Sequence, residues 1–255
     1  MGYLSNRRKH HTVGLPSFPA GTQIVIDASD SGNLSLTGSS VDQIQDISGN
    51  NNHVSATGSA RPLYTGTAVN GYTSVAFDGV DDVLESAFNA PAINDDDFYL
   101  ILALHYPSGA TSNRCLASAS SEGGGVTRGA GWKLTQRTND DLRYSTTNDT
   151  STADAGLANN VFSANNPYVF AFSVERTGAT ALQQITWVNG ANEGTINKSG
   201  GAYGTMTLTD LFRIGGDAAG LHQLFNFVEM RFASGPSVLD NFTAQRNEME
   251  TKYAV

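Results

Sequence analysis

Four carboxylates lie close together in the stretch SVAFDGVDDVLES, residues 74–86. Asp78, Asp81, Asp82 and Glu85 flank one glycine, between apolar residues that are typical of strands. Such a group could bind Ca²⁺, which takes several oxygen ligands, or supply acid and base to a reaction. It could also be the polar turn between two strands, because short carboxylates accept hydrogen bonds from turn amides.

Other patterns for catalysis or metal binding are missing from the sequence. It has no G-K-[ST] phosphate loop and no G-x-S-x-G nucleophile elbow. The histidines outside the first eleven residues lack metal-ligand spacing. Cys115 is the single cysteine, so no internal disulfide can form, and its small apolar neighbours predict a buried strand position.

Aromatic side chains offer a different chemistry, since an exposed ring can stack on a sugar. Trp132 and Tyr144 lie in or beside predicted strand ends and are the candidate glycan contacts. Tyr203 lies in a similar setting. Trp187 stands in the alternating stretch ITWVNG, which favours a core position instead.

A basic cluster opens the chain: Arg7, Arg8 and Lys9, followed by His10 and His11. No acid lies among the first eleven residues, whereas the remainder carries 12 basic and 24 acidic side chains. A basic arm on an acidic body predicts an acidic partner surface. Three fixed charges are few for sequence-independent DNA binding, which makes a nucleic acid the less favoured partner.

The elements that must position these residues are strands. From Thr22 onward apolar and polar residues alternate between glycine and asparagine turns, which predicts half-buried strands. Residues 138–166 form the most polar stretch and are predicted to be a hairpin with long loops. The predicted strands cover residues 22–28, 73–79, 97–107, 131–137, 167–176, 183–190, 211–216 and 224–233.

Two of these strands indicate how the layers are arranged. In YVFAFSVE, Phe170, Phe172 and Val174 share one face and the other face is mixed. The stretch FYLILALHY is apolar on both faces, as expected for a central strand covered on both sides. Only residues 237–253 predict a helix, with Ser237 as N-cap and an apolar stripe of Leu239, Phe242, Met249 and Tyr253.

Composition agrees with an all-β protein. Charged residues make up 15% of the chain, against roughly 25% in an average soluble protein. The sequence contains no run of 18 apolar residues, the length that a membrane-spanning helix needs. Its N-terminal residues lack the apolar segment of a secretion signal. We therefore expect an extended basic arm over residues 1–20 and one domain over residues 21–255.

Several short motifs resemble the laminin-G-like, concanavalin A-like jelly rolls. They are SGNNNH, then VAFDGVDDVLES, and later WVNGANEG, LFRIGG and FNFVEMRF. The resemblance covers roughly residues 22–255 and implies a jelly-roll β-sandwich with a C-terminal helix. It also implies that the FDG-x-DD segment is a tight hairpin, with Val75 and Phe77 pointing into the core and Gly79 in the turn. A Ca²⁺ site at Asp78, Asp81 and Asp82 is the alternative, since relatives of this fold sometimes bind calcium.

Some relatives of this fold are glycosidases, which need two facing carboxyl groups. The E-x-D-x-E strand of those enzymes does not occur here. Glu175 and Glu229 stand on predicted strands, but each is alone on its strand. We therefore expect no enzymatic activity and no cofactor apart from the calcium alternative.

For function, the sequence favours a structural protein of a bacteriophage virion, such as a capsid decoration, head-fibre or tail component. The basic arm would attach it to other virion proteins in a larger oligomeric assembly, and the virion would be its location. This hypothesis depends on an extracellular type of fold without a secretion signal or disulfides and on a surface low in charge. The alternative is a carbohydrate-binding, lectin-like adhesin module that holds host surface glycans, with or without calcium.

Overall fold

The computed structural model describes residues 18–65, 70–89, 96–108, 114–120, 131–136, 142–148, 151–158, 161–178, 181–198 and 211–255. Within these ranges the chain forms seventeen strands and one α-helix, α1 (Phe242–Tyr253). The strands are β1 (Thr22–Asp27), β2 (Leu34–Thr37), β3 (Ser40–Ile44), β4 (Val54–Ser55), β5 (Leu63–Tyr64), β6 (Val75–Asp78), β7 (Leu84–Asn89), β8 (Phe98–Tyr106), β9 (Arg114–Ser120), β10 (Gly131–Gln136), β11 (Leu142–Asn148), β12 (Ser151–Ala158), β13 (Asn166–Gly178), β14 (Ala181–Val188), β15 (Ala191–Lys198), β16 (Leu211–Ile214) and β17 (Leu224–Ser234).

The strands form two antiparallel layers. In the first sheet the order is β15-β14-β13-β8-β17, and β1 and β6 both pair with the far edge of β17. In the second sheet the order is β4-β7-β16-β9-β10-β11-β12. The layers are joined at one edge by β3, which pairs with β2 along one side. Along its other side β3 pairs with β4 and, further on, with β5, the partner of β6.

The sandwich core lies between the inner faces of these sheets. Phe170, Phe172 and Val174 of β13 contribute to it, as their alternation predicts. The indole of Trp132 on β10 stacks against Phe232 of β17, with ring centroids 5.9 Å apart, and so connects the two sheets. The fold is the predicted jelly-roll β-sandwich with a C-terminal helix.

Helix α1 covers the outer face of the first sheet. Phe242, Met249 and Tyr253 are buried against the side chains of β8 and β13 that point away from the core. β8 is therefore covered on both sides, as predicted. No helix among the described residues has the length and hydropathy needed to cross a membrane.

The start of the helix differs from the prediction. Residues 238–241 form a 3₁₀ turn, and the α-helix begins only at Phe242. Ser237 makes no side-chain cap because its backbone is left-handed, with φ at 58°, where an N-cap residue is normally extended. The predicted apolar stripe is confirmed, since Leu239 also packs against this outer cluster.

Candidate functional site

The segment FDG-x-DD is a turn, but it is not a hairpin. β6 is already paired on both sides, with β17 and β5, so the chain cannot fold back to pair β7 with it. Residues 79–83 instead carry the chain from the first sheet to the second. Gly79 has φ at 75°, and a Cβ there would lie 2.9 Å from the amide nitrogen of Leu224. Val75 and Phe77 point into the core, as expected.

Two of the three aspartates in this turn accept backbone hydrogen bonds. The Val80 amide donates to Oδ1 of Asp78 at 2.7 Å, and the Asp78 amide donates to Oδ2 of Asp82 at 2.8 Å. The predicted role of turn capping is therefore present in Asp78 and Asp82. Burial raises the pKa of Asp82 to about 6, and the charges of Asp78 and Asp81 add to the rise.

The same three aspartates keep the geometry of a small metal cluster. One carboxylate oxygen from each lies within 4.8 Å of the others. The hydrogen bonds within the turn account for this approach without a cation. The calcium site at Asp78, Asp81 and Asp82 stays a prediction.

A row of polar residues crosses the second sheet beside this turn. The strand registers place Ser55, Glu85, Arg213, Ser118 and Lys133 opposite one another on five consecutive strands. Their strand neighbours Leu84, Ile214, Ala117 and Leu134 belong to the core, so the row faces outward. We call these five residues the polar row; its register continues to Gln43 on one side and to Ser145 and Asp154 on the other.

Ion pairs fix the charged members of the polar row. The Arg213 Nε donates to Oε1 of Glu85 at 2.8 Å, and Lys133 pairs with Asp217. Asp217 belongs to the loop after β16. In the same loop, the carbonyl of Gly216 accepts a hydrogen bond from the Ser118 hydroxyl. This loop covers the middle of the outer face, and no helix among the described residues lies on that face.

An open cleft lies at the end of the polar row where β4 meets β7. It encloses about 270 Å³. Hydroxyl groups and one carboxylate form its polar side, and short aliphatic side chains form the rest. The lining residues are Ser55, Ala56, Thr57, Ala60, Val83, Glu85, Ser86 and Leu211. No aromatic ring is among them, so the apolar wall of the cleft is aliphatic.

The aromatic candidates lie elsewhere. Trp132 is only 1% exposed, because its ring is enclosed between Phe212 and Phe232. The prediction that Trp132 contacts a glycan is therefore corrected, because a buried ring cannot stack on a sugar. Tyr144 is on β11, opposite Leu134, but its side chain lies outside the described part of the structure, as does all of Tyr203. The role of Tyr144 as a glycan contact stays a prediction.

Trp187 contributes to packing, as the alternation predicts. Its ring lies 4.9 Å from that of Phe242 in α1, and the guanidinium of Arg246 lies 5.2 Å from its centroid. The residue therefore holds the helix against the first sheet.

The two glutamates considered for hydrolysis do not form a pair. Glu229 on β17 is opposite Ala103 on β8, and Ala103 is opposite Val169 on β13. Glu175 lies six residues beyond Val169 along β13, which places it roughly 20 Å from Glu229. Glu175 is exposed and Glu229 is 1% exposed. A glycosidase needs its carboxyl groups within roughly 10 Å, so these two cannot act together.

Glu229 instead anchors α1 through a buried charge network. It accepts hydrogen bonds from Arg231 Nε, Lys252 Nζ and the Tyr253 hydroxyl, each at 2.7 Å. Burial by itself would raise the pKa of Glu229, but the charges of Arg231 and Lys252 outweigh that effect and lower it. Glu248 adds a second carboxylate for Arg231.

The predicted basic arm, with Arg7, Arg8, Lys9, His10 and His11, lies outside the described residues. The described chain starts beside α1, where the Phe18 ring lies 5.8 Å from the Arg231 guanidinium. Phe18, at which the described chain begins, therefore lies on the helix-covered side of the sandwich, away from the polar row.

Sequence reasoning identified Glu85 but missed Arg213, Lys133 and Asp217. The local signal was present, because Arg213 is a single base in the otherwise apolar strand LFRI and Lys133 is the single base of the strand GWKLTQ. The partners of these bases depend on the strand order, which brings Glu85 next to Arg213, 128 positions away in the sequence.

The chain shares its fold with solved structures to which its sequence identity is low. No protein-family model matches the chain, and no curated protein matches its sequence. The chain is similar to the solved binding domain of Paraclostridial Mosquitocidal Protein 1, with a TM-score of 0.60 and 11% identity over 91% of this chain. It is also similar to the binding domain of botulinum neurotoxin serotype D, with a TM-score of 0.59 and 9% identity over 90% of this chain. It spans about half of each toxin domain, 52% and 51% respectively.

A third similar structure matches over nearly its whole length. This is domain 4 of AbnA, a GH43 extracellular arabinanase from Geobacillus stearothermophilus, in complex with arabinotriose. The TM-score is 0.55 at 12% identity, covering 84% of this chain and 92% of that domain. At such identities the likeness shows the β-sandwich fold alone.

Proposed function

We propose that the chain is a non-enzymatic binding domain that holds carbohydrate on the outer face of its second sheet. The observation that carries this proposal is the polar row ending in an open cleft, on the face that no described helix covers. Hydroxyl and carboxylate groups in fixed positions suit the hydroxyl groups of a sugar, because each sugar hydroxyl both donates and accepts. The opposite face is closed by α1.

The similar structures support this choice over a virion component. Two of them are binding domains of toxins, and the third is an arabinanase domain in complex with arabinotriose. The absence of catalysis is also part of the proposal. Glu85 and Asp217, the carboxylates at the polar row, are each held by a base.

Glycan array screening tests the proposal with a matched pair of variants. We expect the wild-type chain to retain oligosaccharides and Thr57→Arg, which fills the cleft, to lose them. Thr195→Arg places the same side chain at an exposed position of β15 on the first sheet and should bind normally. Retention of no glycan by the wild type, or equal loss in both variants, would contradict the proposal.

The virion hypothesis concerns the arm and can hold together with glycan binding. The arm root beside Phe18 supports it, since attachment there would leave the polar row turned outward. Sedimentation of the full chain against residues 18–255 tests it. We expect the full chain to sediment as an assembly and residues 18–255 to sediment as a monomer. If both sediment as monomers, the virion hypothesis is contradicted.

A further inference from the structure

The two bases of the polar row are each paired with a carboxylate, Arg213 with Glu85 and Lys133 with Asp217. Arg61, the residue after Ala60 in the cleft wall, pairs with Asp42. An anionic ligand would have to displace an acid from a base to gain a charged contact. Displacement costs the ion pair that it replaces, so an anionic ligand gains little from these bases.

The surroundings of the cleft are negative. Asp82 directly precedes Val83 in the cleft wall and lies three residues, or about 10 Å of extended chain, from Glu85. Carboxylate oxygens of Asp78 and Asp81 lie within 4.8 Å of that of Asp82. The Debye length is about 8 Å at physiological salt and about 30 Å at 0.01 M, so the turn holding these aspartates repels an anion in the cleft mainly at low salt.

The free hydrogen-bonding groups of the cleft suit a neutral ligand. Arg213 holds Oε1 of Glu85, and no described residue donates to Oε2. The Glu85 side chain is 41% exposed. The hydroxyls of Ser55 and Thr57 make no hydrogen bond to the described chain. The Oε2 atom of this anchored carboxylate and the two hydroxyls can bind adjacent hydroxyl groups of one sugar residue.

We infer that the cleft binds a neutral sugar residue of an oligosaccharide and discriminates against anionic sugars carrying carboxylate or sulfate groups. This inference rests on the proposed function and names the ligand class of the same site. Glu85 is its specificity residue, because it accepts from the ligand and also neutralises Arg213. Removing its charge should weaken neutral ligands and reduce the repulsion of anionic ones.

Calorimetric titration with lactose and sialyllactose, and with galactan and galacturonan oligomers, tests the inference. The wild-type chain should bind the neutral member of at least one pair at least tenfold more tightly, with little change between 50 and 500 mM salt. Glu85→Gln should lose about tenfold for the neutral member. Its ratio of anionic to neutral affinity should rise at least tenfold at low salt.

Glu193→Gln is the matched control, since Glu193 is exposed on β15 of the first sheet. It should leave both affinities unchanged, and melting temperatures should show that all variants fold. Tighter binding of the anionic member by the wild type would overturn the inference while leaving the proposed function intact. An unchanged ratio in Glu85→Gln would do the same. Binding of no glycan of either class would overturn both.

Discussion

Asp82 shows what a residue type indicates and what only a structure adds. Its neighbours VAFDGVDD predicted a polar turn, and the turn is present. Which aspartate turns inward depends on the path of the chain between sheets, since Asp82 reaches back to the Asp78 amide and becomes 5% exposed. No spacing rule separates Asp82 from Asp81.

The raised pKa of Asp82 predicts a pH-dependent cost in stability. Its pKa is about 6 in the folded chain and near 3.8 when unfolded, so the folded state binds the extra proton between these values. Stability is therefore lost as the pH rises through this window. Asp82→Asn keeps the acceptor for the Asp78 amide and should stabilise the chain by about 2 kcal/mol more at pH 7.5 than at pH 4.5.

Urea denaturation of both proteins at the two pH values measures this difference. Asp240→Asn, at an exposed position of the 3₁₀ turn, controls for the loss of one negative charge. A gain from Asp82→Asn that is the same at both pH values would contradict the account. A calcium-dependent rise in the melting temperature of the wild type, absent in Asp82→Asn, would show that the turn also binds the cation.

Trp132 marks a limit of sequence reasoning at this scale. The strand GWKLTQ was predicted, and it forms β10. Alternation separates Trp132 from Lys133 but does not tell which face is the core. The core face is decided by Phe232 on β17, a strand 100 residues later. An indole beside a glycine-rich loop therefore suggested an exposed ring that is in fact buried.

Elements were predicted better than their pairing. β8 and β13 were recognised from their apolar faces, and the hairpin of β11 and β12 from its polar stretch. The apparent hairpin of β6 and β7 was wrong because β5, a strand of two residues, takes the available edge of β6. Such a short strand leaves no periodic signal in the sequence.

The attachment of α1 depends on Glu229. Glu229→Ala leaves Arg231 and Lys252 beside a cavity without their shared carboxylate, and should lower the free energy of unfolding by about 3–5 kcal/mol. Because its folded pKa is lowered, the contribution of Glu229 is present above the unfolded pKa and is lost as the pH falls through the folded value.

Glu175→Ala is the matched control for Glu229→Ala in urea denaturation. Glu175 is exposed on β13, and its loss should change the free energy of unfolding by about 0.5 kcal/mol or less. Equal effects of the two variants would show that the buried network does not stabilise the helix on the sheet.

At the scale of the whole molecule, the two outer faces of the sandwich differ in kind. One is covered by α1 and carries Phe18, at which the described chain begins. The other presents the polar row and the cleft beside β7. The sequence predicted the sandwich and the helix, but the polar row joins residues from five strands and has no local pattern to announce it.

Hydrogen exchange of the chain with and without a saturating neutral oligosaccharide tests the central claim most directly. The account predicts slower exchange in β4, β7 and β16 when the sugar is bound, and no change in α1. Protection confined to α1 and the first sheet, or no protection anywhere, would contradict the claim that the outer face of the second sheet binds carbohydrate.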